Sequence, residues 1–363
     1  MNNEGGGIAT IARQFAIDGE FRSAAPRGSG HINDTWLVTF AQSATEKRYI
    51  LQRINRSVFK DPAAVMENIR RVTSHLREKL AGHPDRERRV LTLVPTRDGG
   101  WWHAAPDGSC WRAYVFIEGA SARDLPESPE QVFEAAKAFG QFQARLADLP
   151  LPRLHDTIPD FHNTPKRLAA LKEAVRLDPL NRAAGAAREI RFVLARENMV
   201  GLLVGAGLPE RVTHNDTKFN NVLLDDVTGE GLCVLDLETV MPGLALYDFG
   251  DLVRSAATVA PEDSRDLSNV RLDMPRFEAA ARGYLAAAGS FLTREERRWL
   301  AFSGKLIALE LGVRFLTDYL SGDAYFKVHR EGQNLDRCRV QFRLVESMEQ
   351  QEEAMHRCVE RVG

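Results

Sequence analysis

The pattern of apolar and polar positions changes about a third of the way along the chain. Before residue 118, short apolar runs alternate with turn-forming residues, which predicts strands, for example over 36–40, 49–54 and 111–117. Apolar residues spaced by three and four predict a helix over 62–80, and Asp61 is a suitable N-cap for it. We therefore expect the first part to be a small antiparallel sheet accompanied by helices.

From about residue 128 the apolar spacing becomes that of amphipathic helices. Such helices are predicted over 132–149, 160–177, 187–204, 274–288, 294–319 and 335–362. A strand-rich part followed by a helix-rich part predicts a two-lobed α+β architecture. We place the N-lobe at 1–118 and a larger, mainly helical C-lobe at 119–363.

Residues 213–240 interrupt the helical pattern of the second part. Two short apolar runs, 222–224 and 232–237, are joined by a Gly-bearing turn cluster, which predicts a β-hairpin. This hairpin would return Asp236, in the second run, to the side of Asn221, which directly precedes the first run.

The same stretch carries polar residues at a spacing that predicts phosphoryl transfer. His214, Asp216 and Asn221 follow the order His-x-Asp-x-x-x-x-Asn of the protein-kinase catalytic loop. Asn221 and Asp236 form an oxygen-only set that suits Mg²⁺ together with phosphates and water. Asp216 would orient or deprotonate a hydroxyl, and Lys218 would neutralise charge on the transferred group. An ordinary turn is the alternative interpretation, but it leaves the agreement between spacing and hairpin unexplained.

A glycine-containing turn further upstream is a candidate phosphate loop. Gly28, Ser29, Gly30, His31 and Asn33 precede a predicted strand, and such a turn brings backbone N–H groups close to phosphate oxygens. Asn33 stands where the last glycine of G-x-G-x-x-G would be, so a plain hairpin turn is the alternative. The position upstream of the catalytic pattern favours the phosphate loop.

No lysine occupies the strand position at which a kinase-like chain pairs with phosphate. Gln52 or Arg53 must take that place, and strand alternation puts the two on opposite faces. Arg53 as the phosphate-pairing charge and Arg53 as a solvated residue remain equal alternatives. Glu67 is a candidate acidic partner for the strand residue, or a plain exposed glutamate. Phe116 and Glu118 lie where the last predicted strand runs out into a hinge, and backbone groups of this hinge would hold adenine.

Two further groups of residues lie after the hairpin. Asp248-Phe249-Gly250 looks like the metal-binding triplet of kinases, but Asp236 already occupies the hairpin position for a metal. We expect Asp248 and Asp251 to cap the next helix and to hold the catalytic loop. Arg314, Asp318, Asp323 and Tyr325 form a polar and aromatic group of the kind that suits sugar hydroxyls. A surface salt-bridge cluster is the alternative, and these residues by themselves favour it.

Composition excludes some classes of partner. The formal net charge is -2, with 48 basic and 50 acidic residues, so we expect no nucleic-acid surface. Four widely spaced cysteines indicate reduced thiols. The first twenty residues do not read as a signal peptide, and no apolar run is as long as a membrane span. We therefore expect a cytoplasmic protein without a membrane partner.

Several motifs resemble one known superfamily. HNDTKFNNVLLD, VLDLETVMPG and YDFGD resemble the aminoglycoside phosphotransferase and choline-kinase superfamily, whose members share the two-lobed protein-kinase-like fold. Within it, GHIN, LQRIN and RFLTDYLSGDAYF are similar to the N-acetylhexosamine 1-kinases. The likeness runs from a short amphipathic helix predicted over 8–16 to beyond residue 340.

The resemblance implies ATP and Mg²⁺ as co-substrates and phosphorylation of the anomeric hydroxyl of GlcNAc or GalNAc. It implies that Asp216 is the base, that Asn221 and Asp236 bind the metal, and that the turn over 28–33 binds phosphate. It also implies the residues that contact the sugar: His31, Arg314 and Tyr325. We expect the partners to be a sugar and ATP, and the protein to be a monomer or a weak homo-oligomer.

Two rival functions remain open on the sequence. The first is another small-molecule kinase, acting on an aminoglycoside, choline or another amino alcohol; a contribution from Arg314 argues against these cationic acceptors. The second is a nucleotide-binding protein without catalysis, suggested by the missing strand lysine. Retention of Asp216, Asn221 and Asp236 argues against that second rival.

Overall fold

The computed structural model describes residues 4–27, 32–43 and 45–363. Contacts within the chain divide it into two compact units. The first unit comprises Met1–Ala120, His155–Ile158 and Leu237–Thr239; the second comprises Ser121–Leu154, Pro159–Asp236 and Val240–Gly363. Among the described residues, no helix has the length and apolar composition needed to cross a bilayer.

The first unit is built on an antiparallel sheet. Its described elements are α1 (Glu4–Ala12), β1 (Glu20–Pro26), β2 (Asp34–Gln42), β3 (Thr45–Ile54), α2 (Pro62–Lys79), α3 (Arg86–Arg89), β4 (Leu93–Val94), β5 (His103–Ala104) and β6 (Cys110–Val115). The strand order is β1-β2-β3-β6-β4, and β5 also pairs with β6. Alternate apolar residues of the central strands are buried in one core with Phe15 and Ile17. The register places Gln52 of β3 opposite Arg112 of β6.

Helix α2 begins as the sequence predicts. The Asp61 side chain accepts a hydrogen bond of 3.1 Å from the Ala64 N–H, so the N-cap is confirmed. Asn68 of this helix is fully buried and exchanges two hydrogen bonds with the His155 backbone, at 2.8 and 3.0 Å. These bonds attach residues 155–158 to the first unit.

The second unit is mainly helical. The chain enters it through β7 (Ala120–Ser121), and the following elements are α4 (Pro129–Leu146), α5 (Thr164–Leu177), α6 (Ala187–Leu194), α7 (Leu202–Gly205), β8 (Arg211–Thr213), β9 (Val222–Asp225), β10 (Gly231–Val234), β11 (Met241–Gly243), α8 (Ala245–Ala256), α9 (Met274–Ala288), α10 (Arg294–Ser321), α11 (Gln333–Gln350) and α12 (Glu352–Val362). The molecule is an α+β protein with an antiparallel-sheet region followed by a helical region, as predicted.

The predicted hairpin is confirmed, whereas two predicted helices are interrupted. β9 and β10 pair antiparallel, with Val222 opposite Val234. The helix predicted over 187–204 stops at Leu194, because a polar run and Gly201 break the apolar spacing. The helix predicted over 335–362 divides at Gln351, whose amide donates to the Leu272 carbonyl at 3.1 Å.

The Asp-Phe-Gly triplet lies within α8 and contributes to helix packing. A Cβ at Gly250 would lie 2.6 Å from the Ser303 carbonyl oxygen of α10, so only glycine permits this close approach. The triplet is therefore not a metal-binding turn. This agrees with the sequence argument that assigned the hairpin position to Asp236.

Candidate active site

Asp248 of α8 holds the loop that follows β8. Its carboxylate accepts hydrogen bonds from the backbone N–H groups of His214, at 2.8 Å, and Asn215, at 2.7 Å. Its backbone carbonyl accepts a bond of 2.5 Å from the Thr217 hydroxyl. Burial raises the pKa of Asp248 above its usual value, although these hydrogen bonds oppose the shift. The predicted anchoring of the loop is confirmed, but the predicted cap is wrong because Asp248 lies inside the helix.

Asn215 adopts a left-handed backbone conformation directly before Asp216. Its φ is 65°, which asparagine tolerates better than most residues, and its side chain accepts from the Thr213 hydroxyl at 3.0 Å. Its carbonyl lies 2.9 Å from Nε2 of the buried His162. The backbone at Asp216 is therefore fixed by several independent contacts.

Asp216, Lys218 and Asn221 are brought together as predicted. The Asn221 amide donates to the Asp216 carbonyl at 2.7 Å and to its carboxylate at 3.0 Å, and Lys218 Nζ lies 3.2 Å from the same carboxylate. Burial disfavours the charged carboxylate, but Lys218, His214 and Arg254 outweigh it, so the pKa of Asp216 is lowered. Burial also opposes the charge on Lys218, yet the surrounding carboxylates raise its pKa.

The hairpin returns Asp236 to Asn221, as predicted. The Leu235 N–H donates to the Asn221 carbonyl at 2.8 Å, and Asp236 follows with a left-handed φ of 53°. The described residues contain no group of three His, Cys, Asp or Glu side chains that could hold a metal. Asn221 and Asp236 nevertheless offer oxygen donors of the type Mg²⁺ uses with phosphates and water. Because the Asn221 amide nitrogen bonds to Asp216, its side-chain oxygen is left to act as a ligand.

Gln52 and Arg53 lie on opposite faces of β3, as predicted. Arg53 is exposed and forms an ion pair of 2.6 Å with Asp34. Gln52 is buried; its amide donates to the Thr35 hydroxyl at 3.0 Å, and its oxygen accepts two bonds from Arg112. The positive charge beside the buried face of β3 is therefore that of Arg112, on the neighbouring strand β6.

The predicted phosphate turn is described only in part. Gly28, Ser29, Gly30 and His31 lie outside the described residues. Asn33 Nδ2 donates to the Glu238 carboxylate, and Asn33 Oδ1 accepts from the Asn55 N–H at 2.9 Å.

The predicted hinge residues bond to other parts of the first unit. The guanidinium groups of Arg27 and Arg48 lie 4.9 and 4.4 Å from the centroid of the Phe116 ring, and the Phe116 N–H donates to the Arg48 carbonyl at 3.1 Å. The Glu118 side chain pairs with Arg48, and the Glu118 carbonyl accepts from Arg88 at 3.1 Å. Adenine binding at Phe116 and Glu118 stays a prediction.

Arg112 and Glu238 are site residues that the sequence reasoning missed. They are 1% and 3% exposed and form a buried ion pair within the first unit. The predicted partnership of Glu67 with a β3 residue is wrong, because half-exposed Glu67 lies 2.8 Å from His155 instead. An arginine inside an otherwise apolar strand was the available signal for Arg112.

A second group surrounds Arg314 on α10. Its guanidinium lies over the rings of Phe161, Tyr325 and Phe326, at 4.6, 5.8 and 5.6 Å from their centroids, and makes no ion pair within the described residues. Asp318 accepts from the backbone N–H groups of residues 324–326. The salt-bridge alternative is therefore wrong for Arg314, whereas Asp323 of the same group does pair with Arg182, at 2.6 Å.

His162 and Glu310 connect this group to the catalytic loop and were also missed. Glu310 lies one helical turn before Arg314 and accepts from His162 Nδ1 at 2.7 Å and from the Thr164 hydroxyl at 2.6 Å. Burial opposes protonation of His162, but Glu310 outweighs it and raises the pKa of His162. The Asn215 carbonyl completes a continuous path from Arg314 to the loop of Asp216.

Comparisons with known proteins agree with this geometry. Structures with the same fold include a microcompartment-associated aminopropanol kinase, at 17% identity and a TM-score of 0.57, covering 96% of this chain and 98% of that one. An aminoglycoside phosphotransferase from Alicyclobacillus acidocaldarius gives 14% identity and a TM-score of 0.60, covering 97% and 96%. A spectinomycin phosphotransferase in complex with ADP and spectinomycin gives 11% identity and a TM-score of 0.54, covering 96% and 100%. The model of the phosphotransferase enzyme family (APH) matches residues 23–302, and the chain belongs to that family.

Proposed function

We propose that this phosphotransferase transfers the γ-phosphoryl group of ATP to the anomeric hydroxyl of an N-acetylhexosamine, GlcNAc or GalNAc. Asp216 is the base: it orients the hydroxyl and accepts its proton as the phosphoryl group is transferred. Because Lys218 and the other nearby cations lower the pKa of Asp216, this carboxylate is charged at neutral pH. Lys218 also neutralises charge on the phosphoryl group.

Asn221 and Asp236 would hold Mg²⁺ in this proposal. When bound, the ion neutralises charge on the phosphate oxygens and helps to orient them. In this proposal the turn over 28–33 would bind the phosphates, and the hinge at Phe116 and Glu118 would hold the adenine. Catalysis by these residues is mainly positioning and charge neutralisation, without a covalent enzyme intermediate.

The environment of Arg314 is the observation that carries the proposed acceptor. A half-buried guanidinium framed by three rings has donors left for hydroxyl and carbonyl oxygens, and aromatic faces pack against a sugar ring. Of the nearby carboxylates, Glu310 bonds to His162 and Thr164, and Asp318 bonds to backbone N–H groups. Such a site favours a neutral acceptor. An ammonium group would be repelled by the Arg314 guanidinium, and the nearby carboxylates are already hydrogen-bonded to other groups.

The main rival acceptors are amines. The aminopropanol kinase and the spectinomycin phosphotransferase have the same fold, and their names indicate amino-alcohol and aminoglycoside acceptors. Their identities of 17% and 11% support a common fold and no common acceptor. The N-acetylhexosamine proposal rests instead on Arg314 and on the motifs similar to the N-acetylhexosamine 1-kinases.

Measurement of ADP release tests this proposal. Mg-ATP would be combined with GlcNAc, GalNAc, glucose, choline or kanamycin, with Asp216→Asn as the control, and the product would be assayed for acid-labile phosphate. We expect turnover on an N-acetylhexosamine, an acid-labile product and an inactive control. Turnover on choline or kanamycin alone would exclude the proposed acceptor, and ATP binding without turnover on any acceptor would favour the non-catalytic rival.

A further inference from the structure

The buried ion pair between Arg112 and Glu238 points to a residue set that positions Asp236. We propose that Arg112, Glu238, Gln52 and Asn33, which we name the 238 clamp, fix the backbone after Asp236 and so set its affinity for a divalent cation. The proposal rests on the metal role of Asp236 proposed above.

The side chain of Glu238 is held by Arg112 of β6 and by Asn33, which directly precedes β2, and Gln52 of β3 in turn holds Arg112. Arg112 donates to Glu238 and, through Nε and Nη2 at 3.0 and 2.8 Å, to the Gln52 oxygen. Asn33 donates to the same Glu238 oxygen. Burial of a carboxylate that is 3% exposed is tolerated only when such donors compensate for lost water.

The backbone of Glu238 is held as well. Its carbonyl accepts a hydrogen bond of 2.7 Å from the Thr157 hydroxyl. Residues 155–158 are themselves attached to helix α2 through Asn68, so Thr157 links the Glu238 backbone to this helix. Residues 237–239 therefore have two independent attachments within the first unit.

Asp236 needs this support because its backbone conformation is unfavourable. A left-handed φ of 53° is less favourable than ordinary backbone for a residue other than glycine, although aspartate tolerates it better than most, and it persists where the surroundings enforce it. The hydrogen bond from Leu235 to Asn221 enforces it on one side. The 238 clamp holds Glu238, two residues after Asp236, and enforces it on the other side.

Burial separates this role from direct phosphate contact. Arg112 is 1% exposed, and its Nε and Nη2 groups already bond to Gln52 and Glu238, so contact with a phosphate would require the guanidinium to become exposed. We infer that the clamp acts on the metal ligand and not on the nucleotide. Residues that orient metal ligands typically change metal affinity by about 10- to 100-fold when they are replaced.

The test separates metal affinity from nucleotide affinity. Mn²⁺ would serve as the probe for the Mg²⁺ position, with free Mn²⁺ measured by electron paramagnetic resonance at saturating ADP. ADP affinity would be measured separately by calorimetry in EDTA. For Arg112→Met and Glu238→Gln we expect Mn²⁺ affinity to fall by about 10- to 100-fold, while ADP affinity in EDTA is unchanged.

Matched variants keep the test decisive. Arg22→Met removes an exposed arginine of the same sheet, whose ion pair with Glu20 spans 3.3 Å, and should leave both affinities unchanged. Thr157→Val removes the hydroxyl that holds the Glu238 carbonyl and leaves the Arg112–Glu238 pair in place, and it should weaken Mn²⁺ binding even if Arg112→Met does not fold. Arg112→Lys keeps the charge and should restore part of the Mn²⁺ affinity.

Each other outcome overturns the clamp. An equal loss of ADP affinity in EDTA would identify Arg112 as a nucleotide contact, and unchanged Mn²⁺ affinity in the folded variants would leave a purely structural role. Asp236→Asn distinguishes failure of the clamp from failure of the proposed metal site. If that variant binds Mn²⁺ like the wild type, the metal role of Asp236 is wrong, and the clamp proposal falls with it.

Discussion

Arg112 in the first unit and Arg314 in the second unit have the same side chain in two different environments. Arg112 is 1% exposed and bonds to Gln52 and Glu238. Arg314 is half-buried, lies over three aromatic rings and pairs with no described carboxylate. A planar guanidinium can serve either as a rigid internal connector or as a ligand-binding fork. The environment of each arginine decides which role it has.

The difference shows how a buried arginine that holds other residues in place can be distinguished from one that binds a ligand. A buried arginine with satisfied partners carries a high penalty for rearrangement, because breaking the pair leaves an uncompensated charge. A guanidinium over aromatic rings is stabilised without using its hydrogen-bond donors. We therefore expect Arg112 variants to affect folding and metal binding, and Arg314 variants to affect the acceptor.

The largest effect is expected on kcat, from substitution of Asp216, and the effects at Arg112 and Arg314 are compared with it. Asp216→Asn should lower kcat by about 10³-fold, since general-base catalysis contributes roughly 10²–10⁴-fold. ATP binding and the melting temperature should change little, because an amide of the same shape replaces the carboxylate. Steady-state kinetics with the preferred acceptor would measure this, and near-wild-type turnover would remove Asp216 from the mechanism.

Stability is where Arg112 should differ most from Arg314. Arg112→Met should cost about 3–5 kcal/mol of unfolding free energy, because Glu238 is left charged and buried. The double variant Arg112→Met, Glu238→Leu should recover much of that loss without recovering Mn²⁺ affinity. Urea unfolding followed by circular dichroism would measure both, and a double variant no more stable than the single one would contradict the ion-pair explanation.

Acceptor affinity is where Arg314 should differ most from Arg112. Arg314→Met should raise KM for the sugar by about 10- to 100-fold, since a hydrogen bond to a charged group contributes about 1.5–3 kcal/mol. Its unfolding free energy should fall by no more than about 1–2 kcal/mol, because cation–π contacts contribute about 0.5–1 kcal/mol at exposed sites and methionine keeps part of the packing on the rings. If the stability loss of Arg314→Met equalled that of Arg112→Met, the contrast between the two arginines would be lost.

The His162–Glu310 pair should produce a smaller effect that depends on pH. Glu310 raises the pKa of His162 in the folded state, so the stability that protonation contributes is fully present below the unfolded pKa of about 6.5. That contribution is lost as pH rises through the higher folded pKa. The stability difference between wild type and His162→Gln should therefore shrink above neutral pH. Urea unfolding of both proteins from pH 6 to 9 would measure this stability difference. A difference that stays constant with pH would contradict the assignment.

The smallest effect is expected at the exposed neighbour of Gln52 on β3. Arg53→Met breaks the ion pair with Asp34, whose side chains are 47% and 39% exposed, and exposed pairs contribute below about 1 kcal/mol. Urea unfolding beside Arg112→Met would compare an exposed and a buried ion pair on adjacent strands. A loss above about 2 kcal/mol for Arg53→Met would contradict the distinction by burial.

The sequence predicts the parts of this molecule that depend on local spacing. The hairpin, the start of α2 and the grouping of Asp216, Lys218 and Asn221 follow from turns, caps and separations of a few residues. Pairs that join distant segments were missed, such as Arg112 with Glu238 and His162 with Glu310. Their separations of 126 and 148 residues leave no periodic signal, and tertiary packing alone brings them together.

Binding of the acceptor tests the central claim most directly. GlcNAc and GalNAc would be titrated by calorimetry into the wild type, Arg314→Met and Arg112→Met, each saturated with Mg-ADP. We predict that the wild type binds at least one of the two sugars, that Arg314→Met binds it much more weakly, and that Arg112→Met retains the wild-type affinity wherever it is folded. Absence of sugar binding to the wild type, or equal weakening in both variants, would contradict the assignment of the acceptor to Arg314.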